Sequence, residues 1–177
     1  MAAHLLRLDA DSRRCRFGRS VSDAFLSSYA LGPREVGAHM EGVFVDGTLR
    51  AVAELRPIGR PLALHAEAAL TVERPFREMG LGSLLLRQLV IHAQNQGILD
   101  VAMFCLPENT PMRRLAASQG ATQVRLSSDV EAIIHEPPPS PFSVLREAVH
   151  RAQPYVQRAL EAFEPFQRAA PRRNAAD

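Results

Sequence analysis

Arg77-Glu78-Met79-Gly80-Leu81-Gly82 has the residue types of an anion-binding turn. It follows an extended run and opens a long helical pattern that lacks a Ser, Thr, Asp or Asn cap. Uncapped amides at a helix start, with the helix dipole behind them, favour negative charge, and the glycines let the backbone approach a bulky diphosphate. A Walker loop is excluded because Gly-Lys-Ser/Thr is absent, and a dinucleotide fingerprint needs a glycine where Leu85 stands. Taken alone, the segment fits an anion site, with a plain strand-to-helix turn as the alternative.

Other reactive side chains form no recognisable constellation. His65, His92 and His135 have no ligand spacing, so no metal is expected. Cys15 and Cys105 make neither a metal pair nor a disulfide framework, which points to a reducing, cytoplasmic setting. Cys105 lacks an evident His partner and reads as a core cysteine.

The elements that must position these groups follow from the pattern. His4–Leu8 reads as a short strand, Asp11–Arg19 as an arginine-rich turn, and Ser20–Leu31 as a helix capped by Ser20 or Ser22. Gly42–Asp46 and Leu49–Leu55 flank Asp46-Gly47, a strong hairpin signal. Pro57–Pro61 is a turn and Leu62–Val72 an extended run. Leu81, Leu85, Leu89 and Ala93 recur at helical spacing within Gly82–Gln96, and Gly97 stops that helix. Ile98–Cys105 reads as a buried strand, Thr110–Gln119 as a helix, and Ala121–Leu126 and Val130–His135 as closing strands. This order predicts an α/β (α+β) fold with a mixed sheet covered on both faces.

Pro137-Pro138-Pro139 marks a boundary, giving a domain over 1–135, a proline-rich linker over 136–139 and an amphipathic helical tail over 140–177. Phe142, Leu145, Val149, Ala152 and Val156 through Phe163 fit one or two helices, interrupted at Pro154 and stopped at Pro165, with a frayed end at Ala169–Asp177. The tail is expected to pack on the domain or on a second copy as a homodimer. At 177 residues, 46% hydrophobic and 23% charged, the composition is that of one globular domain. The net charge of +2 gives no case for nucleic acid, and no segment suggests a membrane span or a signal peptide. All 21 basic residues are arginine, which suits planar phosphate contacts.

Leu70-Thr-Val-Glu-Arg-Pro-Phe-Arg-Glu-Met-Gly-Leu-Gly-Ser-Leu-Leu resembles the central motif of the GNAT superfamily of N-acetyltransferases. Asn109-Thr-Pro-Met-Arg-Arg-Leu115 through Gly120 is similar to the family's second motif, and together the likeness covers about residues 4–135. The resemblance implies a GNAT fold with a mostly antiparallel sheet, and acetyl-CoA as co-substrate. It implies that the main chain of Leu70, Thr71 and Val72 pairs with the pantetheine arm. Backbone amides of Arg77, Glu78, Met79, Gly80, Leu81, Gly82 and Ser83 would hold the pyrophosphate, and Asn109 would hydrogen-bond near the pantetheine. Arg113 and Arg114 would either reach phosphates or stand as solvated helix charge. A backbone N–H near Val72, at a strand irregularity, would stabilise the oxyanion.

Many members carry a tyrosine acid one residue after the position of Leu115, where this chain has Ala116. Glu67-Ala-Ala-Leu-Thr-Val72 resembles the acetyltransferase domain of bacterial Pat-type protein lysine acetyltransferases, which implies Glu67 as general base. A base is needed, because exposing the lone pair of a lysine-like amine at pH 7 costs about 4.6 kcal/mol. Glu54, about as far from the intervening turn, is placed opposite Glu67, where it would raise its partner's pKa. The expected reaction is direct attack of a primary amine, a protein lysine or a small amine, on the thioester. A non-catalytic acyl-CoA sensor is the alternative from another class. The arginines of Ser12–Arg19 either select an acidic acceptor or form a solvated basic loop.

Overall fold

The structure, a computed structural model, describes residues 1–33, 36–59, 64–127 and 129–152. The turn expected through Pro61, the start of the run at Leu62 and every expectation beyond Ala152 lie outside these residues.

The chain opens with three helices where a strand, a turn and one helix were expected: α1 (Ala2–Leu6), α2 (Ala10–Phe17) and α3 (Asp23–Leu31). Leu5 and Leu8 both close on Leu26, and all three are buried. A strand would send residues three apart to opposite faces, whereas a helical turn puts them on one. The expected turn at Asp11–Arg19 is helical through Phe17 because Asp9 Oδ1 accepts from the Ser12 amide at 2.8 Å, capping α2. Gly18, at φ 69°, ends it. α3 starts as expected, with Ser22 Oγ accepting from the Phe25 amide at 3.2 Å.

Six strands form one mixed sheet in the order β1-β2-β3-β4-β6-β5. They are β1 (His39–Val45), β2 (Thr48–Pro57), β3 (His65–Val72), β4 (Asp100–Cys105), β5 (Thr122–Arg125) and β6 (Val130–His135). The β1–β2 hairpin turns at Asp46 (φ 49°) and Gly47 (φ 69°), the left-handed pair of a two-residue turn matched to strand twist. All neighbours are antiparallel except β3 and β4, which pair in parallel for only three rungs, from His65↔Asp100 to Glu67↔Ala102. Beyond that rung β3 stays with β2 through Val72 and β4 stays with β6 through Cys105, so the two strands part.

Helix α4 (Leu81–Asn95) makes the crossover between β3 and β4, and α5 (Thr110–Ser118) follows β4. Leu85, Leu86, Leu89, Val90 and Ala93 of α4 pack on Ala51, Ala53, Ala66, Ala68 and Val101 of the sheet. Small sheet residues admit the leucines of the helix, and each fully buried leucine contributes about 1.5–3 kcal/mol. The opposite face carries α1 and α2, which meet β2 and β3. Helices on both faces and a mostly antiparallel sheet are thus as expected.

Residues 141–152 form helix α6 on α4. Ser143 Oγ donates to Asn95 Oδ1 at 2.6 Å, and Asn95 Nδ2 donates to Glu147 Oε2 at 2.5 Å. His92 Nδ1 meets Glu147 Oε1 at 2.8 Å, and its ring stacks on His39 of β1 with centroids 3.7 Å apart. Burial holds the His92 pKa below its ordinary value despite the Glu147 hydrogen bond. For Glu147, burial pushes upward, but Asn95 and His92 outweigh it and keep the carboxyl low.

Both shifts have one sign. A neutral His92 contributes stability above the ordinary imidazole range and loses it as pH falls; the depressed Glu147 contributes above the ordinary carboxyl range and loses it at still lower pH. Deleting everything from Pro137 onward should therefore lower Tm more at about pH 7 than at about pH 5. Equal losses at both would show that the histidine contacts do not secure α6.

Candidate active site

Where β3 leaves β4, its outer edge is open. The ladder to β2 fixes which groups face that edge: Glu73 N–H donates to Arg50 O at 3.0 Å and Ile58 N–H to His65 O at 2.9 Å. In antiparallel pairing these directions alternate, so Thr71, like Glu73, turns its main chain to β2, while Leu70 and Val72 turn theirs to the gap. Of the three residues expected to pair with a pantetheine arm, two present main chain there and Thr71 presents a side chain. The β2–β3 register runs without a shift, whereas the sheet irregularity lies at Val43/Phe44 in β1. The irregularity expected near Val72 is therefore absent, and its N–H faces the gap through ordinary strand alternation.

A cleft of about 320 Å³ fills the divergence. One wall is Leu70, Thr71 and Val72, and another is the glycine loop with Arg77, Glu78, Gly80, Leu81, Gly82 and Ser83. The loop leaves β3 through a 3₁₀ turn at Arg74–Phe76, passes Glu78 at φ 62° and Gly80 at φ 80°, and enters α4 with no side-chain cap. The first in-helix bond from this end is Leu84 N–H to Gly80 O at 3.0 Å, so the amides of Leu81, Gly82 and Ser83 are the orphan donors. Glu78 in left-handed backbone is a strained residue at a turn that lines the cleft. At Gly82 an added Cβ would lie 3.3 Å from Leu115 Cδ2, so the missing side chain lets α4 and α5 close on the cleft.

Other expected residues sit differently. Met79 is 66% exposed and does not line the cleft. Asn109 does line it, but as the cap of α5, with Oδ1 accepting from the Met112 amide at 3.3 Å. Arg77 contributes its side chain as well as its amide: Nε donates to Val72 O at 3.2 Å and Nη2 to Ser12 Oγ at 2.6 Å. Arg113 donates to Gln123 Oε1 and Pro107 O, which ties α5 to β5, and Arg114 is exposed. Ala116 is fully buried in the main core, so a tyrosine would not fit without opening it. Cys105 is buried with Sγ against Val130 O, and burial pushes its thiol pKa up, as suits a core cysteine.

Glu67 lies outside the cleft wall, on the last rung before β3 and β4 part. Arg56, its partner across β2–β3, places Nη2 3.3 Å from each carboxylate oxygen. Glu54 pairs with Ala69, two residues further along β3, which corrects its expected position opposite Glu67. Buried Glu54 instead binds Arg16, and Tyr29 Oη donates to its Oε2 at 2.8 Å. Burial and the carboxylate keep the Tyr29 phenol above its ordinary pKa, hence protonated.

Sequence reasoning missed the α2 wall of the cleft: Asp11, Ser12, Cys15 and Arg16. Its signal was Asp9 three residues before Ser12, a cap pattern hidden by the arginines. Three of the four arginines in Ser12–Arg19 are tied into the fold rather than solvated, while Arg19 is exposed over the Phe25 ring. Arg13 binds Leu6 O, Leu8 O and Asp23, Arg14 binds Glu108 at 2.5 Å, and Arg16 holds Glu54. Also unforeseen is a buried network behind Thr71. Glu73 accepts from His4 Nδ1 (3.1 Å), Arg7 Nε (2.8 Å) and Arg50 Nη1 (2.9 Å). With Nδ1 donating, His4 Nε2 must accept from the Thr71 hydroxyl, 2.8 Å away.

The model of the acetyltransferase (GNAT) family matches residues 3–121. The fold is similar to the GNAT domain of S. lividans PAT, at TM-score 0.67 and 21% identity over 76% of this chain and 82% of that one. A ribosomal-protein-alanine N-acetyltransferase from Brucella melitensis aligns at TM-score 0.59 and 17% identity, over 75% and 94% of the two chains. A PaiA N-acetyltransferase from Thermoplasma acidophilum in complex with coenzyme A aligns at TM-score 0.57 and 17% identity, over 76% and 92%.

The Glu73 network yields a stability test. Burial pushes its carboxyl pKa up, but the Arg7, Arg50 and His4 hydrogen bonds prevail and hold it low. Glu73→Gln, which takes the carboxylate from two partly exposed guanidinium groups, should cost about 2 kcal/mol in urea unfolding at neutral pH. The deficit should shrink as pH drops through the depressed carboxyl pKa, where wild-type Glu73 is protonated too. An unchanged urea midpoint at neutral pH would show the network to be dispensable.

Proposed function

The chain belongs to the GNAT acetyltransferase family, and from that premise we propose that it transfers an acetyl group from acetyl-CoA to a primary amine by direct attack. The observation that carries this reading is the open edge of β3 beside an uncapped α4. A pantetheine arm has amides that pair with Leu70 and Val72 as an added strand would. The Leu81–Ser83 amides and the helix dipole suit a pyrophosphate. The PaiA neighbour was solved with coenzyme A, which supports the same ligand here.

An arm lying along β3 in this way ends near the last β3–β4 rung, where Glu67 stands. In the proposed reaction the acceptor, delivered as ammonium, first loses one proton to Glu67, directly or through water. Its nitrogen then attacks the thioester carbonyl, forming C–N as C–S breaks, and the gap-facing amide of Leu70 or Val72 holds the oxyanion. The second amine proton goes to the departing thiolate, directly or through water. With Ala116 in the core, no side chain stands at the family's acid position, and a thiolate of pKa near 8.5 is a tolerable leaving group. Arg56 Nη2 stands 3.3 Å from each Glu67 carboxylate oxygen, so the proton transfer requires that pair to loosen when the acceptor arrives.

Two measurements test this. Gly80→Ala, which forces a Cβ into left-handed backbone, should weaken acetyl-CoA binding about tenfold in calorimetry with little change in fold. Glu67→Gln should retain acetyl-CoA binding but lower acceptor-dependent thiol release by about 10²-fold or more. Full activity in Glu67→Gln removes it from the mechanism. Tight acetyl-CoA binding without thiol release for any amine makes the chain a sensor.

A further inference from the structure

We propose that a second cavity, between α3, β1 and β2, receives the cationic amine of the acceptor, with Glu54 as its counter-ion and Tyr29 as the hydroxyl that orients that carboxylate. The inference rests on the acetyl-transfer reading above and adds the acceptor's chemical class to it.

The cavity measures about 180 Å³. Pro33, Ala38 and Met40 give it apolar walls, while Tyr29, His39, Glu54 and Arg56 supply its polar side. Its position suits an acceptor. Glu54 is the cross-strand partner of Ala69, which lies between the last β3–β4 rung at Glu67 and gap-facing Leu70, directly beside the latter. Arg16 lines the coenzyme cleft and reaches Glu54 with both side chains nearly buried, at 6% and 5% exposure. The Arg16–Glu54 pair is therefore the partition between the two cavities.

Charge and size narrow the ligand. A buried carboxylate needs a cation beside it. A primary ammonium entering from the second cavity can take the place of the guanidinium against Glu54, one cation for another at that carboxylate, with Arg16, still charged, turning into the coenzyme cleft that it lines. Tyr29 Oη accepts from Arg16 Nη2 and donates to Glu54 Oε2, both at 2.8 Å, so it keeps the carboxylate directed while its cation changes. The volume is below the roughly 300–1,000 Å³ of pockets for drug-sized ligands. It fits an unbranched aliphatic arm ending in ammonium, whether a protein lysine side chain or a short free alkylamine.

The test uses the full chain with Nα-acetyl-lysine methylamide, its uncharged norleucine analogue, a lysine-containing peptide and butylamine. Binding to the CoA-loaded protein is measured by calorimetry, and thiol release by steady-state kinetics. The lysine amide should bind and the norleucine amide should not. Tyr29→Phe, which keeps the ring packing, should raise the lysine amide's KM about tenfold and leave acetyl-CoA Kd within about twofold. Glu54→Gln should abolish amine binding.

Failure of wild-type protein to bind any of the amines, equal binding of the norleucine amide, or an unchanged KM in Tyr29→Phe overturns the pocket. Amine binding without thiol release keeps the pocket and overturns the transfer reading; thiol release with an unchanged KM in Tyr29→Phe does the reverse. Peptide and butylamine arms separate a protein lysine from a free amine as the source of the ammonium.

Discussion

The brevity of the parallel pairing between β3 and β4 is the constraint on which the rest of the site depends. Each strand is fully held on its other side, β3 by β2 and β4 by β6, so sheet twist can separate them only at their shared edge. The result is a stretch of main chain with polar groups turned to a gap and no strand to meet them. Such groups are tolerated because the gap is a cleft that water can enter. Ligand amides can replace that water with little rearrangement. The glycine loop is placed by the same geometry, because it must carry the chain from the end of β3 over the sheet into α4.

Helix α2 completes the cleft and is attached to it almost wholly by guanidinium groups. Arg77 links Val72 to Ser12, Arg14 crosses to Glu108 beside the cap of α5, and Arg16 runs inward to Glu54. These are polar contacts between elements that share little apolar surface, so α2 has less hydrophobic anchorage than α4, which sits over the main core. On the far side His4 reaches through to Thr71, so α1 reports on the same strand that forms the cleft wall.

How legible this was in the sequence depended on whether the determining interaction was local. The Asp46-Gly47 hairpin, the Leu81–Asn95 helix and the glycine loop follow from residues a few positions apart, and each stands where expected. The N-terminal helices did not, because five apolar and basic residues at His4–Leu8 fit strand and helix alike until Leu26 supplies a partner. The Glu54–Glu67 pairing failed for a subtler reason. A two-residue slip in register leaves every side chain on the same face, so alternation cannot detect it. Equal distance from a turn was no guide to the true partners, Ala69 and Arg56. The positions of Arg56 and Glu54 beside the candidate base were accordingly invisible before the strands were aligned.

The guanidinium ties of α2 carry a chemical consequence. A lysine in any of these places would be a nucleophile held close to a reactive thioester, open to acylation that would erase its charge and free the helix. Guanidinium stays protonated at every physiological pH and is a very poor nucleophile. With arginine at all 21 basic positions, the protein's own framework offers no lysine side chain to the chemistry it is built to conduct. With an acyl donor in the cleft as proposed, α2 would not be lost to self-modification at lysine.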